Sequence, residues 1–427
     1  MRVVVLGGVA RSLVNFRGPL LKEMVERGHE VFACAPDAPE EVRSQLSQIG
    51  VIYRDVPIAR AGLNPLRDIG TGLTLFRLFR SLQPDAVLAY TAKPVIWGCI
   101  AARLARVQSS YAMITGLGYT FMDGGNLKQR MVQRIVCGLY RTVLSRPKAV
   151  FFQNPDDMAE FQSRGLVRKN NQTVLINGSG VDTDYFSPTP LPKTPTFLLM
   201  ARLIGDKGIR EYREAARWVR TKYPQARFLL AGGFDQNPAA ISQEEIRQWQ
   251  EEGDIEYLGN LEDVRHALSQ SLVYVLPSYY REGTPRTILE AMSMGRPIIT
   301  TDAPGCRETV QFVRGQKSEV RSQRLESSCH QAKVENRTAK DAGSEEAYGT
   351  IKQGENGFLV PVRDADALAT AMEKFIEQPD LAQSMGRESR QIAEEKYDVY
   401  KVNQVILESL GIYLSEVSEV SLTARKK

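Results

Sequence analysis

The chain has few of the residues on which several large classes of protein depend. Its 427 residues include only three histidines and five cysteines, and no two cysteines form a Cys-x-x-Cys pair. This composition disfavours histidine-led acid–base chemistry, a zinc site and a disulfide framework. No apolar run approaches the ~20 residues that a membrane-spanning helix requires. The loop after the first apolar run also lacks Gly-x-Gly-x-x-Gly, which argues against a dinucleotide cofactor.

The residues that are present fit a globular protein with more than one core. Hydrophobic residues make up 43% of the chain and charged residues 25%, and the net charge is +5. A length of 427 residues exceeds one ordinary core, so two domains are expected. Residues 1–8 have the pattern of a core strand and its turn rather than of a cleavable leader. We therefore expect the protein to remain in the cytoplasm.

Short apolar runs alternate with amphipathic stretches along the chain. A first series of predicted strands includes 3–6, 30–35 and 86–89, with helices at 16–26 and 73–82. A second series of strands lies at 196–200, 227–231, 255–258 and 272–276. Such alternation predicts an α/β protein in which two doubly wound, Rossmann-like units each contain a parallel sheet.

Composition marks the boundary between the two units and one unusual segment. Glycines at 177–182 and prolines at 188–195 are typical of a hinge followed by an extended connector. We place the first domain at 1–177 and the second at 178–394. Residues 311–353 are rich in charge and poor in apolar side chains, which predicts a disordered insertion inside the second domain.

The most informative motif contains two carboxylates, Glu282 and Glu290, on either side of a turn that opens a helix. The start of a helix presents unpaired backbone N–H groups and a partial positive charge, so it can bind phosphate. The amides of Arg286 and Thr287 are the candidates here, because Pro285 has no N–H to donate. For each glutamate, the alternative is that it only compensates the helix dipole.

These residues resemble a known family. The run from Glu282 to Glu290 is similar to the Glu-x7-Glu motif of retaining glycosyltransferases with the GT-B architecture, and 282–286 and 305–310 resemble glycosyltransferase family 4. The resemblance is strongest to enzymes that transfer hexoses or N-acetylhexosamines onto polyprenyl-diphosphate-linked saccharides. It implies two Rossmann-like domains facing a cleft, a UDP-sugar as donor substrate, no cofactor, no metal, and a final helix, 395–427, that crosses back to the first domain.

The resemblance also implies roles for residues of the second domain. Glu282 would face the donor sugar and Glu290 would hold the ribose hydroxyls. Arg202 and Lys207 follow the first strand of the second series, and they match the family's pair that holds the diphosphate. Without their neighbours, both would be interpreted as solvated loop cations. Further candidates for donor binding lie in loops after strands: Gly8, Gly232, Leu258 and Gly259.

Three residues of the first domain are candidates for the acceptor side. Arg17 lies beside the first glycine loop, and Lys93 and Tyr119 follow later strands. Lys93 is a candidate ligand for an acceptor phosphate. Two aspartate pairs are assigned other roles: Asp182 and Asp184 match a metal motif but lie in the hinge, and Asp364 precedes a helix as its cap.

The stretch 126–148 predicts a basic amphipathic helix. Met131, Ile135, Leu139 and Val143 share one side, and no acidic residue lies among its cations. The helix either rests on an anionic membrane surface or packs its apolar stripe on the sheet. A lipid-linked acceptor favours the first alternative, with the protein at the cytoplasmic face of the inner membrane.

The sequence therefore predicts a metal-independent transferase. It would move a sugar from a UDP-sugar to a lipid-linked saccharide in the assembly of surface polysaccharide. Two alternatives stay open at this point: a GT-B-like UDP-sugar epimerase, and a nucleotide-sugar-binding protein inactivated by its insertion. Neither nucleic acid nor a redox cofactor is expected as a partner.

Overall fold

The protein consists of two parallel β-sheets, each covered by helices on both faces. The structure is a computed structural model that describes residues 1–59, 65–118, 121, 127–168, 171–235, 237, 239–312 and 350–413. The central strands are short, almost fully buried apolar runs, and Val3, Val4, Val5 and Leu6 have no exposed surface. Such runs are typical of a sheet that is buried on both faces.

The first sheet has seven strands in the order β3-β2-β1-β4-β5-β6-β7, and all pairs are parallel. Its elements are β1 (Arg2–Leu6), α1 (Ala10–Asn15), α2 (Gly18–Glu26), β2 (Glu30–Ala35), α3 (Glu40–Gln48), β3 (Ile52–Asp55), α4 (Pro65–Leu82), β4 (Ala86–Tyr90), α5 (Ala92–Leu104), β5 (Ser109–Ile114), α6 (Leu127–Val143), β6 (Ala149–Phe152), α7 (Pro155–Ser163) and β7 (Gln172–Leu175).

The second sheet also has seven strands, in the order β10-β9-β8-β11-β12-β14-β13, and β13 is antiparallel to β14. Its elements are β8 (Thr196–Met200), α8 (Ile209–Lys222), β9 (Arg227–Ala231), α9 (Gln243–Glu251), β10 (Glu256–Tyr257), α10 (Arg265–Ser269), β11 (Val273–Leu276), α11 (Arg286–Ser293), β12 (Ile298–Thr301), β13 (Lys352–Gln353), β14 (Gly357–Val360), α12 (Ala365–Glu377) and α13 (Pro379–Ile392). The chain ends its described part with α14 (Val399–Leu410).

Helix α14 packs on the first domain although it follows the second in sequence. Val402, Ile406 and Leu407 are buried in one of the first domain's hydrophobic clusters. The amide of Asn403 donates to Glu23 Oε2 of α2 at 3.3 Å. The two domains are therefore joined twice, once through the hinge and once through this returning helix.

Some local details differ from the sequence-based expectations. The predicted helix at 16–26 begins two residues later, as α2 at Gly18, and a separate helix that was not predicted, α1, precedes it and ends at Asn15. Pro19 lies in the first turn of α2, where a missing N–H costs little. Lys352 and Gln353, placed in the irregular segment, form the edge strand β13. Residues 313–349 of that segment lie outside the described residues.

Candidate active site

The site centres on an ion pair between Lys207 and Glu282. Lys207 ends a short 3-10 turn after β8, and Glu282 lies in the loop between β11 and α11. Lys207 Nζ is 2.5 Å from Glu282 Oε1, and the two side chains are only 10% and 15% exposed. The hydroxyl of Ser278 donates to the same carboxylate oxygen at 2.8 Å. Glu282 is thus fixed by two partners before any ligand binds.

Arg202 belongs to the same cluster through Tyr280. The ring centroid of Tyr280 lies 5.4 Å from Lys207 Nζ and 5.9 Å from Arg202 Cζ. Arg202 Nη1 also forms an ion pair with Asp235 Oδ2 at 2.8 Å. The two cations predicted to hold a diphosphate therefore flank one aromatic ring at the carboxyl edge of the second sheet, where open α/β sheets bind ligands.

Glu290 lies inside α11 and is paired with Arg286, one turn earlier. Arg286 Nε donates to Glu290 Oε1 at 2.8 Å. Burial raises the pKa of Glu290, and the charge of Arg286 opposes that rise. Tyr274 is buried close enough for both Glu290 and Glu282 to raise its pKa, in addition to the larger effect of burial, while Thr287 bonds to its hydroxyl.

Gly232 is required by packing next to the Arg202 loop. Its φ is +151°, and a Cβ atom there would lie 1.7 Å from the carbonyl oxygen of Ala201. Its N–H donates to Gly259 O at 2.8 Å, and Leu258 packs against one of the second domain's hydrophobic clusters. These residues hold the strand ends that carry Arg202. Their contact with a nucleotide stays a prediction.

The acceptor-side candidates of the first domain are differently placed. Lys93 Nζ pairs with Asp68 Oδ1 at 2.8 Å, so its charge is already neutralised, and its contact with an acceptor phosphate stays a prediction. Arg17 is 2% exposed and lies over the ring of Tyr90, with Cζ 5.1 Å from the centroid. Gly8, the donor-binding candidate of the first domain, packs beside Thr91, whose Oγ1 would be 3.2 Å from an added Cβ, and its contact with the donor stays a prediction. Tyr119 lies outside the described residues.

The loop that carries Glu282 is held by the first domain. Asn154 Nδ2 donates to the carbonyls of Glu282 and Gly283 at 3.1 Å and 3.0 Å. From the first domain, the N–H of Gly118 donates to Arg281 O at 2.9 Å. Thr284 Oγ1 in turn donates to the carbonyl of Gln153 at 2.9 Å. We call these contacts the interdomain clasp.

An ion-pair triad extends the clasp. Arg281 Nη2 lies 3.1 Å from Asp157 Oδ1 and 2.5 Å from Glu160 Oε2. Burial raises the pKa of Asp157 to about 6, although Arg281 and Asn154 oppose that rise. Sequence reasoning missed the clasp. The available signal was the position of Asn154, which follows the buried strand β6 as polar residues at a ligand edge do.

The two aspartate pairs have local structural partners. Asp182 Oδ1 accepts hydrogen bonds from the N–H groups of Asp184 and Tyr185 at 3.1 Å and 2.9 Å, so it closes a turn. Within the described ranges no group of three or more His, Cys, Asp or Glu is arranged to hold a metal ion. Asp364 accepts from the N–H of Ala367 at 2.8 Å, which confirms it as the cap of α12.

Two Rossmann-like sheets with polar residues at their carboxyl edges define the GT-B class of fold, and solved structures agree. The chain matches HepE from Anabaena, solved in complex with UDP, at a TM-score of 0.69 and 17% identity, covering 97% of this chain and 100% of that one. The predicted fold class is therefore confirmed.

Sequence comparison adds the family. Residues 13–178 match the glycosyl transferase 4-like domain and residues 194–321 match glycosyl transferases group 1. The chain is 30% identical over 324 residues to the N,N'-diacetylbacillosaminyl-diphospho-undecaprenol alpha-1,3-N-acetylgalactosaminyltransferase of Campylobacter jejuni, covering 73% of this chain and 83% of the relative. It is 24% identical over 268 residues to the UDP-Gal:alpha-D-GlcNAc-diphosphoundecaprenol alpha-1,3-galactosyltransferase of Escherichia coli, covering 58% and 66%. The protein belongs to the GT-B glycosyltransferases of family 4, as its motifs predicted.

Proposed function

We propose that the protein transfers a hexose or N-acetylhexosamine from a UDP-sugar to a polyprenyl-diphosphate-linked saccharide, with retention of anomeric configuration. The observation that carries this proposal is the 2.5 Å ion pair between Lys207 and Glu282 at the edge of the second sheet, with Arg202 beside the same Tyr280 ring. Cations and a carboxylate so placed suit a leaving diphosphate and a reacting sugar.

In this proposal the protein stabilises the negative charge that develops on the departing phosphate. Arg202, Lys207 and the first amides of α11 supply preorganised positive charge in a partly buried site. Glu282 faces the donor sugar, and Glu290 accepts hydrogen bonds from ribose hydroxyls. For retention, we infer a front-face route in which the leaving phosphate assists removal of the acceptor proton.

The names of two relatives support the substrate class. The Campylobacter and Escherichia relatives are both described as acting on sugars linked to diphosphoundecaprenol, and the second is described as using UDP-Gal. A relative from Staphylococcus aureus that is 21% identical over 423 residues, covering 94% of this chain and 93% of the relative, is described as a capsular polysaccharide biosynthesis glycosyltransferase, CapM. We infer a role in assembly of a surface polysaccharide.

Incubation with radiolabelled UDP-sugars, with and without a polyprenyl-diphosphate saccharide, tests the function. We expect label to move into the lipid fraction only when the acceptor is present, and NMR of the product should show retained configuration. Isomerised nucleotide sugar without transfer would indicate an epimerase instead. Binding without turnover would indicate a nucleotide-sugar-binding protein.

We also propose that transfer requires no metal ion. The diphosphate charge would be met by Arg202, Lys207 and the amides of α11 rather than by a cation. Activity should therefore persist after dialysis against EDTA. A loss of activity that Mg²⁺ or Mn²⁺ restores would contradict this part of the proposal.

Helix α6 supports a peripheral position on an anionic membrane. Leu127, Met131 and Ile135 are 85%, 58% and 49% exposed, and they alternate with the exposed cations Arg130 and Arg134. Only the later part of the predicted stripe packs inward, since Val143 is 5% exposed. An apolar row between arginines suits the headgroup region of anionic lipid. Among the described residues, no helix has the length and apolar character needed to cross a bilayer.

Flotation with anionic liposomes at low salt tests this surface. We expect the wild-type protein to float and a Met131→Ser, Ile135→Ser double variant to remain at the bottom of the gradient. A Val362→Ser variant provides the control, because Val362 is 45% exposed but belongs to the second domain. Equal flotation of the double variant and the control would exclude α6 as the membrane contact.

A further inference from the structure

Arg17 is a buried cation without a carboxylate partner among the residues that the structure describes. It lies between α1 and α2 and is 2% exposed. Its guanidinium rests on the Tyr90 ring at 5.1 Å, and its Nη2 donates to Met113 Sδ at 2.9 Å. Its Nε has no hydrogen-bond partner in the described part of the chain. Burial lowers the pKa of Arg17 to about 10.

A buried guanidinium of this kind is costly unless an anion accompanies it. An aromatic face and a thioether sulfur compensate only part of the lost hydration. No acidic side chain forms an ion pair with Arg17 in the ranges that the structure describes. Arg296, which is also fully buried, donates to carbonyls and a hydroxyl, although its Nη1 has no partner among the described residues. Arg17 has no oxygen contact of this kind in the same part of the chain.

A second guanidinium approaches from the opposite domain. Arg286 opens α11, and its Cζ lies 5.6 Å from the ring centroid of Phe16, the residue directly before Arg17. Its Nε is bonded to Glu290, but its buried Nη1 has no hydrogen-bond partner among the described residues. The positive charge of Arg286 also disfavours the charge on Arg17. Two cations are thus held near each other with N–H groups to spare.

The position of this pair is that of a ligand site. Tyr90 ends β4, and Gly7 follows β1 so closely that an added Cβ would lie 2.3 Å from Tyr90 Oη. Arg17 therefore lies at the carboxyl edge of the first sheet, which faces the start of α11. Ligands of open α/β sheets bind at this edge, and the first amides of α11 add donors for an anion.

We propose that Arg17 and Arg286 together bind one diphosphate group at the boundary between the domains. The planar guanidinium presents paired donors that match phosphate oxygens. The diphosphate belongs either to the nucleotide sugar or to the lipid-linked acceptor. This assignment deepens the proposed function and rests on it for the identity of the substrate, but the affinity for diphosphate itself does not depend on transfer.

The first experiment measures binding of inorganic pyrophosphate by titration calorimetry. We expect Arg17→Met to weaken pyrophosphate binding at least tenfold. Arg17→Lys should weaken it less, because the lysine ammonium keeps the charge but lacks the paired donors of the guanidinium. Arg286→Lys should weaken binding as well. Arg54→Met is the matched control, since Arg54 also lies over a ring, that of Phe32 at 5.7 Å, but on β3. Unchanged affinity in Arg17→Met, or in Arg17→Lys and Arg286→Lys if Arg17→Met does not fold, would overturn the proposal.

Steady-state kinetics then identify the source of the diphosphate. If the acceptor supplies it, the KM for a polyprenyl-diphosphate saccharide rises at least tenfold in Arg17→Met while the KM for the UDP-sugar changes less than twofold. If the donor supplies it, the KM for the UDP-sugar rises at least tenfold in Arg17→Met while the KM for the polyprenyl-diphosphate saccharide changes less than twofold. A purely structural role for Arg17 predicts equal loss with both substrates and unaltered pyrophosphate affinity, which would also overturn the proposal. A chain that binds pyrophosphate through Arg17 but transfers no sugar would refute the proposed function alone.

Discussion

The two sheet edges that face each other differ in the partners of their cationic side chains. At the second sheet, three cations each have a carboxylate partner, with Asp235, Glu282 and Glu290 pairing with Arg202, Lys207 and Arg286. At the first sheet, Arg17 is buried and its partners are an aromatic ring and a sulfur atom. One edge is neutral before ligand arrives, and the other carries an uncompensated charge.

The difference shows how geometry and attraction are divided between the domains. A paired cation is held in place, but an incoming anion must compete with the carboxylate that holds it. An unpaired buried cation gains more from an anion, although its own fold bears the electrostatic penalty until then. We infer that the paired cations of the second domain position the bound anion, and that the unpaired cation of the first domain attracts it.

The largest expected effect comes from removing a carboxylate partner at the edge of the second sheet, so that a cation there is left unpaired as Arg17 is at the edge of the first. Glu282→Gln leaves Lys207 without its ion-pair partner. If Glu282 faces the donor sugar as proposed, we expect turnover to fall by about 10²–10³ because a preorganised charge is lost from the site of reaction. Affinity for UDP should not decrease, since Lys207 is released from competition. Transfer assays and UDP titration measure the two quantities.

Glu256→Gln is the control for this change. Glu256 pairs with Arg227 on the surface, where both side chains are more than two-fifths exposed, at 47% and 44%. Its variant should keep normal turnover. Near-normal turnover in Glu282→Gln would remove that residue from the chemistry.

The next effect concerns the backbone that positions Arg202. Gly232→Ala should destabilise the protein by about 2–4 kcal/mol, because the new Cβ meets the Ala201 carbonyl. Gly259→Ala is matched to it, since Gly259 also has a positive φ, +75°, but no atom lies within 4 Å of an added Cβ. For Gly259→Ala we expect the free energy of unfolding to fall by about 1 kcal/mol, the cost of backbone strain alone. Urea unfolding measures both, and equal losses would show that the close contact has no role.

A smaller effect tests the interdomain clasp that joins the two edges. Arg281→Met and Glu160→Gln should each lower stability, and a double-mutant cycle should give a coupling of about 1 kcal/mol. Their partly buried pair contrasts with the exposed pair Arg227–Glu256, for which a few tenths of a kcal/mol is expected. We also expect turnover to fall in Arg281→Met with the KM for donor nearly unchanged. Coupling no larger than that of the exposed pair would contradict the clasp.

The last comparison concerns the dependence of stability on pH. The pKa of Asp157 is raised to about 6 from an ordinary value of 3.8. The folded state therefore binds a proton more tightly than the unfolded state, so this group stabilises the fold below pH ~4 and that contribution is lost as pH rises through about 6. Between pH 4 and 7 we expect the free energy of unfolding to lose on the order of 2 kcal/mol from this source. Asp157→Asn should remove that part of the slope, and an unchanged slope would contradict the shift.

Sequence reasoning located the residues of the second-domain cluster because each of them lies close in the chain to a strand that the sequence predicts. Lys207 and Glu282 each follow a buried apolar run, and parallel strands place their carboxyl ends along one edge. The runs themselves were visible, since β2, β8 and β9 were predicted within their observed bounds. Periodicity placed both residues after strands, and the resemblance to the glycosyltransferase family supplied the prediction that they act together.

The first-domain edge and the clasp depend on information that periodicity does not carry. Asn154 and Glu282 are 128 positions apart, and their contact exists only because the domains meet. The pairing of Lys93 with Asp68 joins two helices whose relative rotation is not encoded in either one. The burial of Arg17 is equally non-local, since Tyr90 and Met113 belong to neighbouring strands of the sheet.

The interdomain clasp has a consequence for hydrolysis of the donor by water. Asn154 holds the Glu282 carbonyl from the opposite domain, so this support disappears whenever the domains separate. We expect a nucleotide sugar loaded into an open molecule to sit beside a carboxylate that is no longer aligned. Water that reaches the cleft at that stage would find the glycosidic bond poorly activated, and wasteful hydrolysis would be suppressed until the acceptor arrives.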